Sequence, residues 1–215
     1  KGILKNSKTK SPSLNLDKIK SVVKIHGKHQ LYNVIMASFV ARQIGITENK
    51  IIDTIAHFNG LNHRLQIVRK IFTKPHNIKI EFINDSASTN PNTTAAAIAS
   101  FKNPIILIAG GKDKKLDYSP LRRELKKSSV MAVILYGENR NKILSSIASN
   151  KYDMHKTIDL KGAIGKAYEI AKLNIKKQKE PITILFSPAS ASFDQFMNYK
   201  DRGEIFKSIV KNLNL

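Results

Sequence analysis

The sequence predicts an α/β fold: a doubly wound, mostly parallel sheet over residues 62–215, preceded by a short helical segment. Three observations predict it. The runs IILIA (105–109) and AVILY (132–136) are apolar without a break, as strands covered on both faces must be. Strand-like and helix-like patterns take turns from about residue 80 to the end, the arrangement that crossover-connected parallel strands require. The stretches after three strands are rich in Gly, Ser, Asn and Asp, and such loops carry the ligand sites of open α/β sheets.

Taken in order, residues 1–24 are polar, include Pro12, and read as a loop or edge segment leading to the short apolar stretch 22–25. From 29 to 44 apolar residues recur at helical spacing (Leu31, Ile35, Phe39, Val40, Ile44), and Gly45 supplies the stop. Thr47 opens a second helix through Ile51, Ile52, Ile55 and Ala56 that ends near Asn59 and Gly60. Leu65, Ile67, Val68 and Ile71, then Ile78, Ile80 and Phe82, alternate with polar residues and predict a β-hairpin. An Ala-rich helix follows over 91–101, with Asn90 as its cap and Pro91 in its first turn. Then come a strand at 105–109, a helix near Leu121, a strand at 130–136 and a helix after Asn139. A helix over 160–175, a strand at 182–186 and a last helix over 201–213 complete the series.

Composition bounds the function classes. Among 215 residues, 41% hydrophobic, there is no apolar run near the roughly 18–20 residues of a membrane span. The absence of cysteine excludes disulfides and thiolate zinc sites and suits the cytoplasm. The basic N-terminus never enters an apolar signal stretch, which argues against export, and it opens on Lys rather than Met, leaving room for upstream sequence. The net charge of +21 suggests an anionic partner, but 30 of the 37 basic residues are lysines dispersed along the chain. Nucleic-acid readers favour clustered arginines and exposed aromatic platforms, so this charge reads as compositional.

The chemistry concentrates in three loops. In residues 84–91 (NDSASTNP), Asp85, Ser86, Ser88 and Thr89 exceed what capping needs, and an Asp near such a strand end commonly accepts a ribose hydroxyl. In residues 110–118 (GGKDKKLDY) the glycine pair permits close backbone approach, and Lys112, Lys114 and Lys115 offer cations to an anion. In residues 187–196 (SPASASFDQF) Ser187, Ser190 and Ser192 suit a carboxylate or phosphate, while Phe193 and Phe196 read as core. There is no GxGxxG, no GxSxG elbow and no GxxxxGK[ST] loop. His26, His29, His57 and His63 lack ligand spacing, so no metal site is expected from them.

In order along the chain, FNGLNHR (58–64), FINDSASTN (82–90), LIAGGKDK (107–114) and SPASASFDQFMNYKDRG (187–203) resemble the Mur ligase family, and within it the D-glutamate-adding branch. The resemblance implies that residues 62–215 are that family's Rossmann-like C-terminal domain. It implies that residues 1–61 are the end of a central ATPase domain, whose phosphate loop and most Mg2+ ligands would lie upstream. It implies an ATP-dependent ligase joining D-glutamate to UDP-N-acetylmuramoyl-L-alanine through an acyl phosphate. This chain would be the carboxyl half, inactive alone, with the missing amino-terminal half a possible partner chain. By resemblance Asn33 contacts adenine, Arg64 reaches the nucleotide phosphates from the interdomain hinge, and Asp85 accepts the ribose. Thr89, Lys114, Ser192, Phe193 and Tyr199 grip the D-glutamate carboxylates, and Arg64 and Lys114 carry the catalytic charge. Three positions depart from the family pattern: Gln30 replaces Asn, Ala87 replaces Lys, and Ser190 replaces Cys. Two alternatives stand beside this reading: a decayed or split-gene remnant that keeps the fold, and a basic nucleic-acid-binding module.

Overall fold

The computed structural model describes residues 13–25, 27–73, 78–178 and 180–213. The loop expected over residues 1–12 and the ring of His26 lie outside them. The chain divides into two compact units, Lys1–Asn59 and Gly60–Leu215.

Among the described residues the first unit holds three helices, α1 (Leu16–Val22), α2 (Lys28–Gln43) and α3 (Glu48–His57). Helix α1 corrects the sequence reading, which placed a loop or edge segment there. Asn15 starts it: its side chain accepts a hydrogen bond from the Lys18 N–H at 3.0 Å, and Asp17 complements the first turn. Ile19, Ile51 and Ile52 form the small buried centre. Helix α2 is apolar around much of its circumference, and Tyr32, Met36 and Val40 on it are each at least 60% exposed.

The second unit is a six-stranded sheet in the order β1-β2-β6-β3-β4-β5. Strands β1 (Gln66–Thr73) and β2 (Ile78–Asn84) form the expected antiparallel hairpin. Strands β3 (Ile105–Gly110), β4 (Val130–Tyr136), β5 (Asp153–Lys156) and β6 (Ile182–Phe186) join β2 in parallel. Alternate residues serve opposite faces. Ile106 and Ile108 pack with α7 (Leu160–Asn174) and α8 (Tyr199–Lys211), whereas Leu107 and Ala109 pack with α4 (Pro91–Ile98), α5 (Ser119–Lys127) and α6 (Arg140–Ile147). Helices cover both faces, so the sheet is doubly wound and its buried strands are apolar throughout. The short edge strand β5, DMHK, is absent from the sequence reading; among the described residues it pairs with β4 alone.

Arg69 on β1 ties the hairpin to the end of α8. Its Nη1 donates to the carbonyls of Val210, Lys211 and Leu213 at 2.8, 3.1 and 3.0 Å, in the last turn of the helix and just beyond it. No helix among the described residues is long and apolar enough to cross a membrane.

Candidate functional site

Because β2, β3 and β6 run parallel, the loops that follow them open on one rim, and the backbone stitches them together. The Ala189 N–H donates to Ser88 O at 3.0 Å, the Gly110 N–H to Pro188 O at 2.9 Å, and the Lys112 N–H to Ala191 O at 2.9 Å. Asn90 caps α4 as expected, its side chain accepting from the Thr93 N–H at 3.0 Å behind Pro91.

Asp85 sits at the centre, 1% exposed. Its Oδ1 accepts from the Leu65 N–H at 3.2 Å and its Oδ2 from the Ser187 hydroxyl at 2.8 Å; Thr94 Oγ1 lies 2.9 Å from that hydroxyl. Burial raises its carboxyl from the ordinary 3.8 to about 6, against hydrogen bonds from Ser88, Ser187 and the Leu65 N–H and the charge of Arg64, all of which lower it. A carboxyl with a raised folded-state value favours folding most at low pH, and that contribution is lost as pH rises from about 4 through about 6. The ionised form therefore costs about 3 kcal/mol at neutral pH. Asp85→Asn should remove this dependence, so the stability difference between variant and parent should change by about that amount between pH 4 and pH 7 in urea titrations. Parallel pH profiles for the two proteins would refute this account of the carboxyl.

The second loop sorts its lysines. Lys112 pairs with Glu138 at 2.6 Å, and Asp113 is held by Lys142 at 2.8 Å and by the Lys115 N–H at 2.7 Å. The Lys142 hydrogen bond, more than any other cause, keeps the Asp113 carboxyl below its ordinary value. Lys114 is left exposed, with no carboxylate partner among the described residues, and its Nζ stands 5.3 Å from the Phe193 ring centre. Phe193 is 62% exposed, which corrects its reading as core, while Phe196 packs against the core as expected.

Asn139 underlies this loop. Its Oδ1 accepts from the Gly111 N–H at 3.0 Å, and its Nδ2 donates to Tyr118 OH at 2.8 Å and Ser190 Oγ at 2.7 Å. Ser187 and Ser190 are thus engaged internally, whereas the Ser192 hydroxyl has no hydrogen-bond partner among the described residues. Arg202, fully buried, spans the first and third loops: its Nε donates to Ser86 Oγ at 3.0 Å, Nη2 to Ser86 O at 2.8 Å and Nη1 to Ser190 O at 2.9 Å. Neither Asn139 nor Arg202 is marked in the sequence, where each looks like an ordinary polar residue near a helix start.

The structure thus gathers Thr89, Lys114, Ser192, Phe193 and Tyr199 on adjoining segments, Tyr199 through its carbonyl, which accepts from the Ser86 hydroxyl at 2.7 Å. Arg64 lies near the start of the same unit, between His63 and Leu65, both at positive φ (62° and 46°). Asn33 belongs to the first unit, exposed on α2, and Gln30 is buried on that helix. A separate concavity of about 490 Å³, lined by Ile98, Lys102, Glu124 and Lys127 among others, lies where α4 and α5 end, away from these loops.

Residues 63–189 match the family model described as Mur ligase, glutamate ligase domain. A UDP-N-acetylmuramoylalanine--D-glutamate ligase of Prochlorococcus marinus (strain NATL2A) is 35% identical over 91% of this chain and 39% of its own length. One from Hydrogenobaculum sp. (strain Y04AAS1) is 40% identical over 87% of this chain and 42% of its own. The chain therefore spans about two-fifths of the length of these relatives. Among solved structures, Mycobacterium tuberculosis folylpolyglutamate synthase aligns with a TM-score of 0.59 at 15% identity, covering 86% of this chain and 41% of that one. UDP-N-acetylmuramate-alanine ligase MurC from Thermotoga maritima aligns at 0.56 and 15%, covering 88% and 39%. These two likenesses concern the fold.

Proposed function

Since the chain belongs to the Mur ligase family, we propose that it is the carboxyl-terminal portion of an ATP-dependent ligase that adds D-glutamate to UDP-N-acetylmuramoyl-L-alanine in peptidoglycan precursor synthesis. The observation that carries the reading is Lys114: a rim cation with no carboxylate partner among the described residues, beside the exposed Phe193 ring and the loop of Ser192. That set suits an acceptor with two carboxylates. A cytoplasmic place follows from the same reading.

In this reaction the γ-phosphoryl group of ATP passes to the L-alanine carboxylate, and the amine of D-glutamate displaces it, giving an amide, ADP and phosphate. The task of the protein is to hold anions together and to offset charge as it develops. Lys114, Ser192 and Thr89, with backbone groups of Phe193 and Tyr199, hold the D-glutamate carboxylates and leave the amine free to attack. Arg64 addresses the nucleotide phosphates, and Asn33 the adenine. Asp85 serves the ribose through Oδ2 once the rim opens over this 1% exposed carboxyl, and the Ser187 hydroxyl it releases has Thr94 Oγ1 at 2.9 Å as an alternative acceptor. Residues 1–61 are read as the end of the central ATP-binding domain and 62–215 as the ligase C-terminal domain. The apolar, exposed side of α2 supports this, because a helix apolar on most sides belongs inside a larger core. The described residues bring no three carboxylate or histidine side chains together, and in this reading most Mg2+ ligands belong to the upstream portion.

The experiment supplies ATP, magnesium, UDP-N-acetylmuramoyl-L-alanine and D-glutamate and measures phosphate. The chain alone should be silent, because no phosphate-cradling GxxxxGK[ST] loop occurs in its 215 residues. Joined to the upstream portion, it should release phosphate in response to D-glutamate. In that ligase Lys114→Ala should raise the KM for D-glutamate about 10- to 150-fold, the worth of a charge-assisted hydrogen bond, with the KM for ATP unchanged. Turnover by the chain alone, or an unaltered D-glutamate KM, would overturn the reading.

A further inference from the structure

His63 is a buried titratable side chain to which the reaction above gives no part, yet its surroundings are built around it. Its ring fits against Gly203 so closely that a methyl group there would collide with Nδ1. The orientation of the neighbouring Asn84 amide is fixed by two backbone groups: Oδ1 accepts from the Ser86 N–H at 3.1 Å, and Nδ2 donates to Gly203 O at 3.1 Å. The second Nδ2 proton therefore points at His63 Nδ1, 3.1 Å away, which must be the bare, accepting nitrogen. The proton of the neutral ring then sits on Nε2, which faces Glu204 Oε1 at 3.5 Å.

The backbone of His63 closes the same corner. Its N–H donates to Gln66 Oε1 at 3.1 Å, and its carbonyl accepts from the Ala87 N–H at 3.0 Å. Both His63 and Leu65 are in the left-handed region, where a residue with a side chain persists only if its surroundings hold it. Arg64 lies between them.

We propose that His63 is a positioning residue for Arg64: as the neutral Nε2–H tautomer it latches the turn of residues 63–65 beside Gly203, and protonation of Nδ1 opens that turn. This deepens the reading of Arg64 as a nucleotide contact and rests on it for its catalytic meaning. A proton on Nδ1 would face the Asn84 amide donor, and that amide cannot turn over without abandoning Gly203 O and the Ser86 N–H. The groups around the ring act in both directions. Burial lowers its pKa most; Glu204 raises it, and Lys207 and Lys200 on α8 lower it, with Lys207 also bound to Glu204 at 2.9 Å. Tyr199 meets the ring edge-on at 6.3 Å and Asn84 is neutral. The folded chain thus favours the neutral ring, and the contribution of the latch to stability, present above the ordinary 6.5, is lost as pH falls toward the lowered value.

The test uses the 215-residue chain. Nitrogen-15 NMR reads the ring tautomer and its titration, and amide exchange, corrected for intrinsic pH dependence, reads the Leu65 and Ala87 N–H groups. The expected result is an Nε2–H ring at pH 7 and a loss of at least tenfold in protection at both amides as pH falls through the His63 transition, with Leu107 and Ile108 unmoved. Asp85 titrates nearby and holds the Leu65 N–H, so two variants separate the groups. His63→Asn, which tolerates the left-handed turn but cannot titrate, should abolish the dependence; Asp85→Asn should keep it. Gly203→Ala should lower protection at every pH although alanine favours helix. An Nδ1–H ring, a dependence that survives His63→Asn or vanishes in Asp85→Asn, or full protection in Gly203→Ala would overturn the latch. If the latch behaves as expected but Arg64→Ala leaves the ligase's KM for ATP unchanged, the latch stands and the nucleotide reading of Arg64 falls.

Discussion

Arg202→Ala should destabilise the second unit by about 3–5 kcal/mol, because it strips the donors from several buried acceptors at once. The side chain is fully buried, and three of its nitrogens satisfy Ser86 and Ser190, whose carbonyls would be left without donors. Each such orphaned group costs about 1–3 kcal/mol, and the loss of packing over the Phe186 ring, 5.9 Å away, adds to it. Arg202→Lys should recover little, since one ammonium cannot reproduce a planar fork that reaches two loops at once. Denaturant titration with an unchanged slope measures the effect. A loss below about 1 kcal/mol would mean that water takes over the acceptors.

Gly111→Ala should be comparably damaging, and local. At φ 145° the residue adopts a backbone that L side chains rarely enter, and an added Cβ would fall inside the van der Waals shell of Ala191 O. That carbonyl cannot yield cheaply because it accepts the Lys112 N–H at 2.9 Å. The loop must therefore part from the third one, taking Lys114 with it. We expect a loss of about 2–4 kcal/mol in stability and, in the complete ligase, loss of D-glutamate saturation while ATP binding persists. Normal stability together with a normal KM for D-glutamate would show that the glycine corner does not set the position of Lys114.

How much of this was legible in the sequence differs by element. The runs at 105–109 and 132–136 declared buried parallel strands because a strand covered on both faces has no polar side to show. The hairpin, the Asn90 cap and the three rim loops were equally open to reading, since each rests on local chemistry. Helix α1 was not, because its only signal is one capping Asn amid polar residues. Strand β5 was hidden because four residues of an edge strand carry no periodicity of their own. At the site, the exposed Lys114 and the buried Ser192 could both be picked from their loops. Those that organise them could not: Arg202 and Asn139 act on backbone groups far away in sequence, and His63 depends on Asn84 and Gly203. Phe193 was misplaced inward because an aromatic beside a serine-rich loop carries no mark of which way it faces.

The position of β6 has a consequence for how the chain is made. It lies between β2 and β3, yet it is the last strand to leave a ribosome. At about 5–20 residues per second, roughly 4–15 s separate completion of β3 from completion of β6. Throughout that interval the two halves of the sheet have no seam, and the inner edges of β2 and β3 present unpaired N–H and C=O groups flanked by isoleucine. Chains arrested before Ile182 would expose both edges at once, and such chains should aggregate more readily than those that have completed β6.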